Sequence, residues 1–345
     1  MTVPASFATG AQAPVRPAAQ WALPRPFGLR TLLVLALVLA GGLWAGQRVE
    51  LGRMLSLTGE GVLAAVGLRE QSQVLNGLGT IARSLFPPQI SERTEVTRIE
   101  GFDRQRLPWL SHIETVEMHE PRLNPQTLAM EDRVVRQEVL VEPLGYLWHV
   151  AAKMLETFEI AAWATLIAVV LSAPLAWCSA RNYAPHRLVY AAARTVVGLL
   201  RAVPELVSAL FLVLAYGFGP IAGVLALALH AAGFLGKFYA EDIETADKGP
   251  QEALRAIGAG PLAVMRFAVL PQVMPGFIAY TLYVLDRNVR MATVVGLVGA
   301  GGIGQELKGR YDMYNYAHVG TILIAIFLTV LVLDRVAARL RSRYG

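Results

Sequence analysis

The chain is dominated by apolar segments separated by charged loops, and several of these segments are long enough to cross a lipid bilayer. A spanning helix needs about 20 mostly apolar residues because the hydrocarbon layer is about 30 Å thick. With 54% hydrophobic and only 17% charged residues, the composition also departs from that of soluble proteins. The pattern predicts an all-α membrane protein with about six spanning helices. The predicted spans are residues 29–45, 154–178, 203–216, 221–237, 273–285 and 321–333.

The region before the main group of spans contains a tail, one helix and a long polar interval. Residues 1–28 are rich in Ala, Pro and Arg without periodicity, which predicts a disordered cytoplasmic tail. The apolar run at residues 29–47 predicts a first transmembrane helix. Arginines before such a run also fit a secretory signal peptide. The later spans favour the uncleaved helix. Residues 48–145 predict an extracytoplasmic loop, with a small soluble insertion at about 91–142 that contains strand-like alternation.

Residues 146–340 predict a helical core that is interrupted by a polar loop at 240–271. Lys and Arg concentrate in cytoplasmic loops, so their distribution predicts orientation. If the spans alternate, one side holds Arg25, Arg30, Arg181, Arg187, Arg255, Arg266 and the terminal arginine cluster. This distribution predicts that both termini and the polar loop are cytoplasmic.

The polar loop contains a short helix-turn-helix. Pro250 suits the first turn of a helix that runs to Ile257, and Gly258 permits a tight turn after it. A second helical stretch follows, and Pro271 is predicted to break it. Ala253 and Leu254, together with Ile257, give the first helix an apolar face that can dock into a groove on a partner.

A charged group stands where the fifth span ends. It comprises Asp286, Arg287 and Arg290. Charges at membrane depth are costly and often mark a solute path, and a pair of guanidinium groups can hold an oxyanion through bidentate hydrogen bonds. The alternative is structural: Asp286 pairs with one arginine while the other extends to the interface. Both interpretations remain open from the sequence. Arg194, Arg201 and Glu205 are expected to have an interface or inter-helix role.

A glycine-rich segment at 299–304 satisfies the G-x-G-x-x-G pattern of dinucleotide sites. The context is wrong, because the acidic residue expected about 20 positions later falls within an apolar span. The glycines are instead expected to let the backbone turn or approach its neighbours closely. Gly299, Gly301 and Gly302 are therefore candidates, with the charged group, for lining a translocation path.

The sequence offers no recognisable catalytic or metal-binding arrangement. The six histidines lack ligand-like spacing, and no serine, histidine and acidic residues form a nucleophile pattern. A Walker A motif is also absent from the sequence, so any ATP-driven activity would take its energy from another subunit.

The polar loop carries a family resemblance. Its spacing is similar to the E-A-A signature of ABC-importer permeases, in which this loop couples to an ATPase. The matching residues are Glu252, Ala253, Gly258, Leu270 and Pro271, while Leu254 replaces the second alanine and Ala268 replaces the usual isoleucine.

Further segments resemble the phosphonate-importer permeases, the PhnE family. They include residues 201–205 and 288–307, and the likeness covers about 140–340 well and 29–88 weakly. The insertion is longer than the family leads us to expect.

The resemblance implies a type I ABC-importer permease core in the cell inner membrane. It implies a homodimer that works with two cytoplasmic ATP-binding subunits, which bind ATP and Mg, and with a periplasmic substrate-binding protein. The chain itself would be a transport subunit without catalytic residues, cofactors or nucleic-acid partners, and phosphonate would be its substrate. Phosphite, phosphate or methionine import stays open, as does a membrane receptor or scaffold that transports nothing.

Overall fold

The computed structural model describes residues 28–68, 72–104, 107–108, 110–123 and 130–344. The predicted tail at 1–28 therefore lies outside the described residues, apart from Gly28. The helices are α1 (Leu29–Arg48), α2 (Leu51–Ala65), α3 (Gln73–Leu85), α4 (Gly145–Ser179), α5 (Arg187–Ala202), α6 (Glu205–Tyr216), α7 (Pro220–Thr245), α8 (Lys248–Ala256), α9 (Pro261–Val264), α10 (Leu270–Gly296), α11 (Gly302–Asp312) and α12 (Tyr316–Tyr344). The strands are β1 (Glu92–Glu95), β2 (His112–Leu123) and β3 (Met130–Glu142).

The described chain contains five helices that are long and apolar enough to span a membrane, or six if the bent pair α5 and α6 forms one span. This agrees with the predicted all-α fold of about six spans. The bend between α5 and α6 is 88°. It falls at Val203 and Pro204, because a residue before proline is driven out of the helical conformation.

The chain divides into two contact units, residues 1–79 and 80–345. In the first unit, α1 exposes nearly all of its apolar side chains, as expected for a helix that contacts lipid. In the second unit, α7 is central and packs on α4, α5, α6 and α10. Small residues allow α4 and α7 to approach closely. The fully buried alanines of these two helices are Ala161, Ala164, Ala168, Ala222, Ala226, Ala231, Ala232 and Ala240.

The insertion contains the strands that the sequence predicts. They form an antiparallel sheet in the order β1-β3-β2, with β2 and β3 paired from His112 opposite Val141 to Leu123 opposite Met130. The chain leading into the sheet is fixed to α12, because the Gln89 carbonyl accepts from the Thr321 hydroxyl at 2.5 Å and the Gln89 amide donates to Ala317 at 3.0 Å.

The predicted helix break at Pro271 is wrong. A π-helical turn at Met265–Val269 leads directly into α10, and Pro271 lies in the first turn of that helix. Proline lacks an amide donor and its ring clashes with a carbonyl one turn earlier in a regular helix. The wider π turn before Pro271 changes the local hydrogen-bond register, so the helix continues to Gly296.

Candidate coupling and translocation site

The predicted helix-turn-helix is present in the polar loop. Helix α8 begins after Asp247, whose Oδ1 accepts a hydrogen bond from the Gly249 amide at 3.1 Å. It ends at Ala256, one residue earlier than predicted, and Gly258 follows with φ of +85°. Glycine adopts this left-handed conformation without the steric cost that a Cβ brings. The turn thus depends on glycine at this position.

The outer surface of the turn exposes three large apolar side chains. Ile257 is 79% exposed, Leu262 is 72% exposed and Phe267 is 67% exposed. Clustered exposed apolar groups commonly mark interaction surfaces. We call these three residues the coupling patch, after the resemblance of this loop to the coupling loop of ABC-importer permeases.

The sequence-predicted coupling residues lie in and beside this turn. Glu252, Ala253 and Pro271 are exposed, whereas Leu254 and Leu270 are half-buried. The apolar residues predicted to share one face of α8 therefore point to different surroundings. Leu254 packs against the rest of the chain, whereas Ile257 is exposed.

Polar side chains tie helix α8 and its cap to the α4–α5 loop and to α10. The buried Gln251 accepts from the Tyr183 hydroxyl at 2.8 Å and donates to the Asp247 carbonyl at 3.0 Å. The Asp247 amide in turn donates to Gln272 Oε1 at 2.9 Å. Partial burial raises the pKa of the Tyr183 hydroxyl, against the opposing charge of Arg255, so this hydroxyl remains a donor.

A second anchor lies at the end of α7. Glu244 Oε1 accepts from Arg194 Nη2 at 2.8 Å and from the Arg181 amide at 2.7 Å. Arg194 also donates to the Ser179 carbonyl at 3.0 Å. These contacts join α5 and the α4–α5 loop to the helix that leads into α8. They agree with the inter-helix role expected for Arg194, but the sequence did not identify its partner.

Replacing Asp247 with alanine is expected to loosen α8 without unfolding the membrane core. The variant loses the side chain that caps the helix, which costs about 1 kcal/mol of local stability. Asp247→Asn keeps a capping oxygen and is the matched control. Hydrogen exchange of residues 248–256 should become faster in the alanine variant only. Equal exchange rates in the two variants would show that the cap does not hold α8.

The candidate path residues do not form a free pair of arginines. Arg287 pairs with Glu205, and Arg290 pairs with Asp286 and lies 3.7 Å from Asp334 Oδ1. The ion pair with one arginine that the structural alternative predicts for Asp286 is therefore present. The other arginine contacts a buried carboxylate on α6 instead of extending to the interface. This agrees with the inter-helix role expected for Glu205.

Arg287 belongs to a cluster that joins three helices. Its Nη2 donates to Glu205 on α6 and lies 3.2 Å from His230 Nε2 on α7. Glu205 is only 8% exposed. No sequence pattern marked His230, since a histidine within an apolar helix resembles a packed core residue.

The glycine segment is closely packed. Gly299, Gly301 and Gly302 all have positive φ values, and the Gly219 amide donates to the Gly299 carbonyl at 2.9 Å. The Gly302 amide donates to Glu156 Oε1 at 3.0 Å and the Ile303 amide to Thr157 Oγ1 at 2.8 Å. The glycines thus allow turning and close approach, as the sequence predicts.

The structure shows a bundle of candidate membrane-spanning helices with an exposed apolar turn, and comparison with known proteins identifies the class. Residues 169–345, just over half of the chain, match the family described as binding-protein-dependent transport system inner membrane component. The chain belongs to this family, the permeases of ABC importers. It is therefore a multi-pass inner-membrane transport component and not itself an enzyme.

Three relatives are similar over much of the chain. The "Putative phosphite transport system permease protein HtxE" of Stutzerimonas stutzeri is 60% identical over 259 residues, which cover 75% of this chain and 99% of that protein. The phosphite transport system permease protein PtxC of the same organism is 46% identical, covering 55% and 70%. The phosphate-import permease protein PhnE of Mycolicibacterium smegmatis is 43% identical, covering 54% and 35%.

The fold also matches a solved structure. The MetNI methionine ABC transporter, in an inward-facing conformation, aligns with a TM-score of 0.51 at 21% identity. The alignment covers 58% of this chain and 97% of that chain. The likeness shows the type I ABC-importer permease fold, in agreement with the predicted architecture.

Proposed function

We propose that this chain is the permease of an ATP-driven importer of small phosphorus oxyanions and works by alternating access. The observation that carries the proposal is the 60% identity to a protein named for phosphite transport, which the alignment covers almost completely. Phosphonate is the substrate that the resemblance to the PhnE family implies. Phosphite is the second candidate, and this relative favours it.

The partners that we propose follow from the coupling patch. An exposed group of Ile257, Leu262 and Phe267 beside the acidic Glu252 suits a groove on a cytoplasmic ATP-binding subunit, because apolar anchors with a polar rim stabilise protein interfaces. Two such subunits, which bind ATP and Mg, would act on a homodimer of this chain. A periplasmic binding protein would deliver the substrate. Both termini would then be cytoplasmic and residues 48–145 extracytoplasmic.

The translocation path that we propose includes the charged group, which lies in the second half of α10 because this helix continues past the predicted span to Gly296, and the glycine segment that follows the helix. Arg287 is the favoured contact for the anion, since a guanidinium matches the geometry of phosphorus oxyanions. The ion pair of Asp286 and Arg290 lies on the same helix, next to Arg287 in sequence. Gly299, Gly301 and Gly302 shape the loop that follows α10.

Deletion of this chain is expected to abolish uptake of its phosphorus oxyanion. Growth should be compared with and without the restored chain on methylphosphonate, 2-aminoethylphosphonate, phosphite or phosphate as sole phosphorus source. Uptake of each anion, measured in the same cells, separates transport from later metabolism. Rescue by phosphonates supports the first candidate and rescue by phosphite alone supports the second.

The restored chain carrying Asp312→Asn is the control, because this exposed residue pairs only with Lys308 one turn away in the described chain. It should restore uptake fully. If uptake of all four anions is the same with and without the chain, the transport proposal is wrong and the scaffold alternative is favoured.

A further inference from the structure

Three ionisable side chains meet at the bend between α5 and α6. Glu205 begins α6, His230 lies within α7 and Arg287 lies within α10. Glu205 Oε1 accepts from Arg287 and is 3.3 Å from His230 Nε2. Ionisable groups at membrane depth are costly and are usually retained for a function. The cluster therefore needs an explanation beyond packing.

The hydrogen bonds of His230 define its role in the cluster. Its Nδ1 lies 3.2 Å from the Val203 carbonyl, which can only accept, so Nδ1 carries a proton. Its Nε2 lies 3.2 Å from Arg287 Nη2 and 3.3 Å from Glu205 Oε1, so it accepts from the guanidinium in the neutral ring and donates to the carboxylate in the charged ring. In either form, His230 links the carbonyl at the bend to the Glu205–Arg287 pair.

Arg287 keeps part of its hydrogen-bonding capacity. Within the described residues, both of its hydrogen bonds use Nη2, while the planar guanidinium has five donors in all. The side chain is 26% exposed, and its guanidinium carbon lies 5.8 Å from the centre of the Phe234 ring. One edge of the guanidinium is therefore available to a second anion.

We propose that Glu205 is a resident counter-anion for Arg287, which the transported oxyanion displaces during passage. This inference rests on the proposed function and identifies the residue that regulates access to its site. An arginine without an anion would be unfavourable at this depth, so Glu205 neutralises it while the path is empty. A phosphorus oxyanion presents two oxygens to a guanidinium, as a carboxylate does. It can therefore accept the hydrogen bonds that Arg287 otherwise donates to Glu205.

The exchange keeps binding weak, as a transport path requires. Arg287 accepts the substrate fully only in the fraction of molecules where Glu205 has moved away, and the apparent affinity falls by that fraction. When the oxyanion leaves, Glu205 returns to Arg287 and opposes rebinding. His230 stays bonded to the bend throughout, so the guanidinium does not follow either anion.

The test uses this chain in complex with its ATP-binding subunit in lipid nanodiscs, without the binding protein. Phosphite and methylphosphonate are titrated separately, and the rise in the thermal unfolding midpoint gives the half-saturating concentration. Glu205→Gln should lower that concentration about tenfold if Glu205 occupies Arg287 about 90% of the time. Arg287→Gln should abolish the rise. Asp312→Asn, in the exposed pair with Lys308, should behave as the wild type.

Glu205→Asp keeps the charge with a shorter side chain and protects the test against poor assembly of the glutamine variant. It should lower the half-saturating concentration by a smaller factor. The inference is overturned if both Glu205 variants bind as the wild type does, if Arg287→Gln still binds, or if neither Glu205 variant assembles. It is also overturned if the wild type shows no rise with either anion, and the uptake assay then tells whether the proposed function survives.

Discussion

Replacing Gly258 with tryptophan is expected to abolish ATP-dependent uptake while the permease still reaches the membrane. Gly258 has φ of +85°, and a residue with a Cβ costs about 1–2 kcal/mol in that conformation. The substitution changes the path of the chain between Ile257 and Leu262 in the coupling patch. Loss of about 2 kcal/mol at the centre of an interface weakens association about thirtyfold. Uptake into proteoliposomes measures the loss of transport, and co-purification of the ATP-binding subunit measures the weaker association.

Gly260→Ala is the matched control for this variant. Gly260 lies two residues away in the same exposed turn, has φ of −71°, and a Cβ there would meet nothing within 4 Å. Uptake should therefore persist in the control. Wild-type uptake by the fully assembled Gly258→Trp complex would show that this turn does not couple the permease to its ATPase.

The spans and the coupling turn were predictable because their signals are local. Apolar runs report burial in lipid, and Pro250, Gly258 and the polar residues between them report a short helix with a turn. The same local rules failed at Pro271. There the buried side chains of Met265, Ala268 and Val269 keep the segment packed, and a π turn accommodates the proline.

The polar contacts of the candidate site were not predictable in the same way. Glu205 and Arg287 are 82 positions apart, and Glu244 and Arg194 are 50 apart. Such pairs depend on which helices become neighbours, and composition and periodicity carry no information on that. The sequence could mark Arg287 and Glu205 as unusual, but only the fold joins them to each other and to His230.

The sequence predicted that the glycine segment allows turns and close approach, but it did not predict which atoms the glycines contact. A glycine-rich motif inside an apolar region indicates close approach, while the partners of each glycine depend on helix packing. Gly304 lies in α11 and faces α10. A Cβ added to Gly304 would lie 2.9 Å from the Cα of Gly296 and closer still to the Thr293 carbonyl oxygen. Any larger side chain at Gly304 is therefore expected to lower the stability of the permease strongly.

Replacing Gly304 with alanine is expected to destabilise the permease by about 3 kcal/mol, the upper part of the usual range for overpacking. The new methyl group would overlap the Thr293 carbonyl, and a backbone atom cannot move aside as the end of a flexible side chain can. The α10–α11 corner would have to open, which would also weaken the hydrogen bond from Ile303 to Thr157. The thermal unfolding midpoint in detergent and the amount of protein in the membrane measure the effect.

Gly309→Ala separates this steric effect from a change in helix propensity, because Gly309 lies in the same helix and a Cβ there meets nothing within 4 Å. Alanine is favoured over glycine in a helix by about 1 kcal/mol, so the Gly309 variant should be neutral or slightly more stable. An equal loss of stability in both variants would mean that α11 as a whole rejects alanine. Loss at Gly304 alone would show that α10 and α11 meet through the glycine contact, because only that position leaves no room for a methyl group.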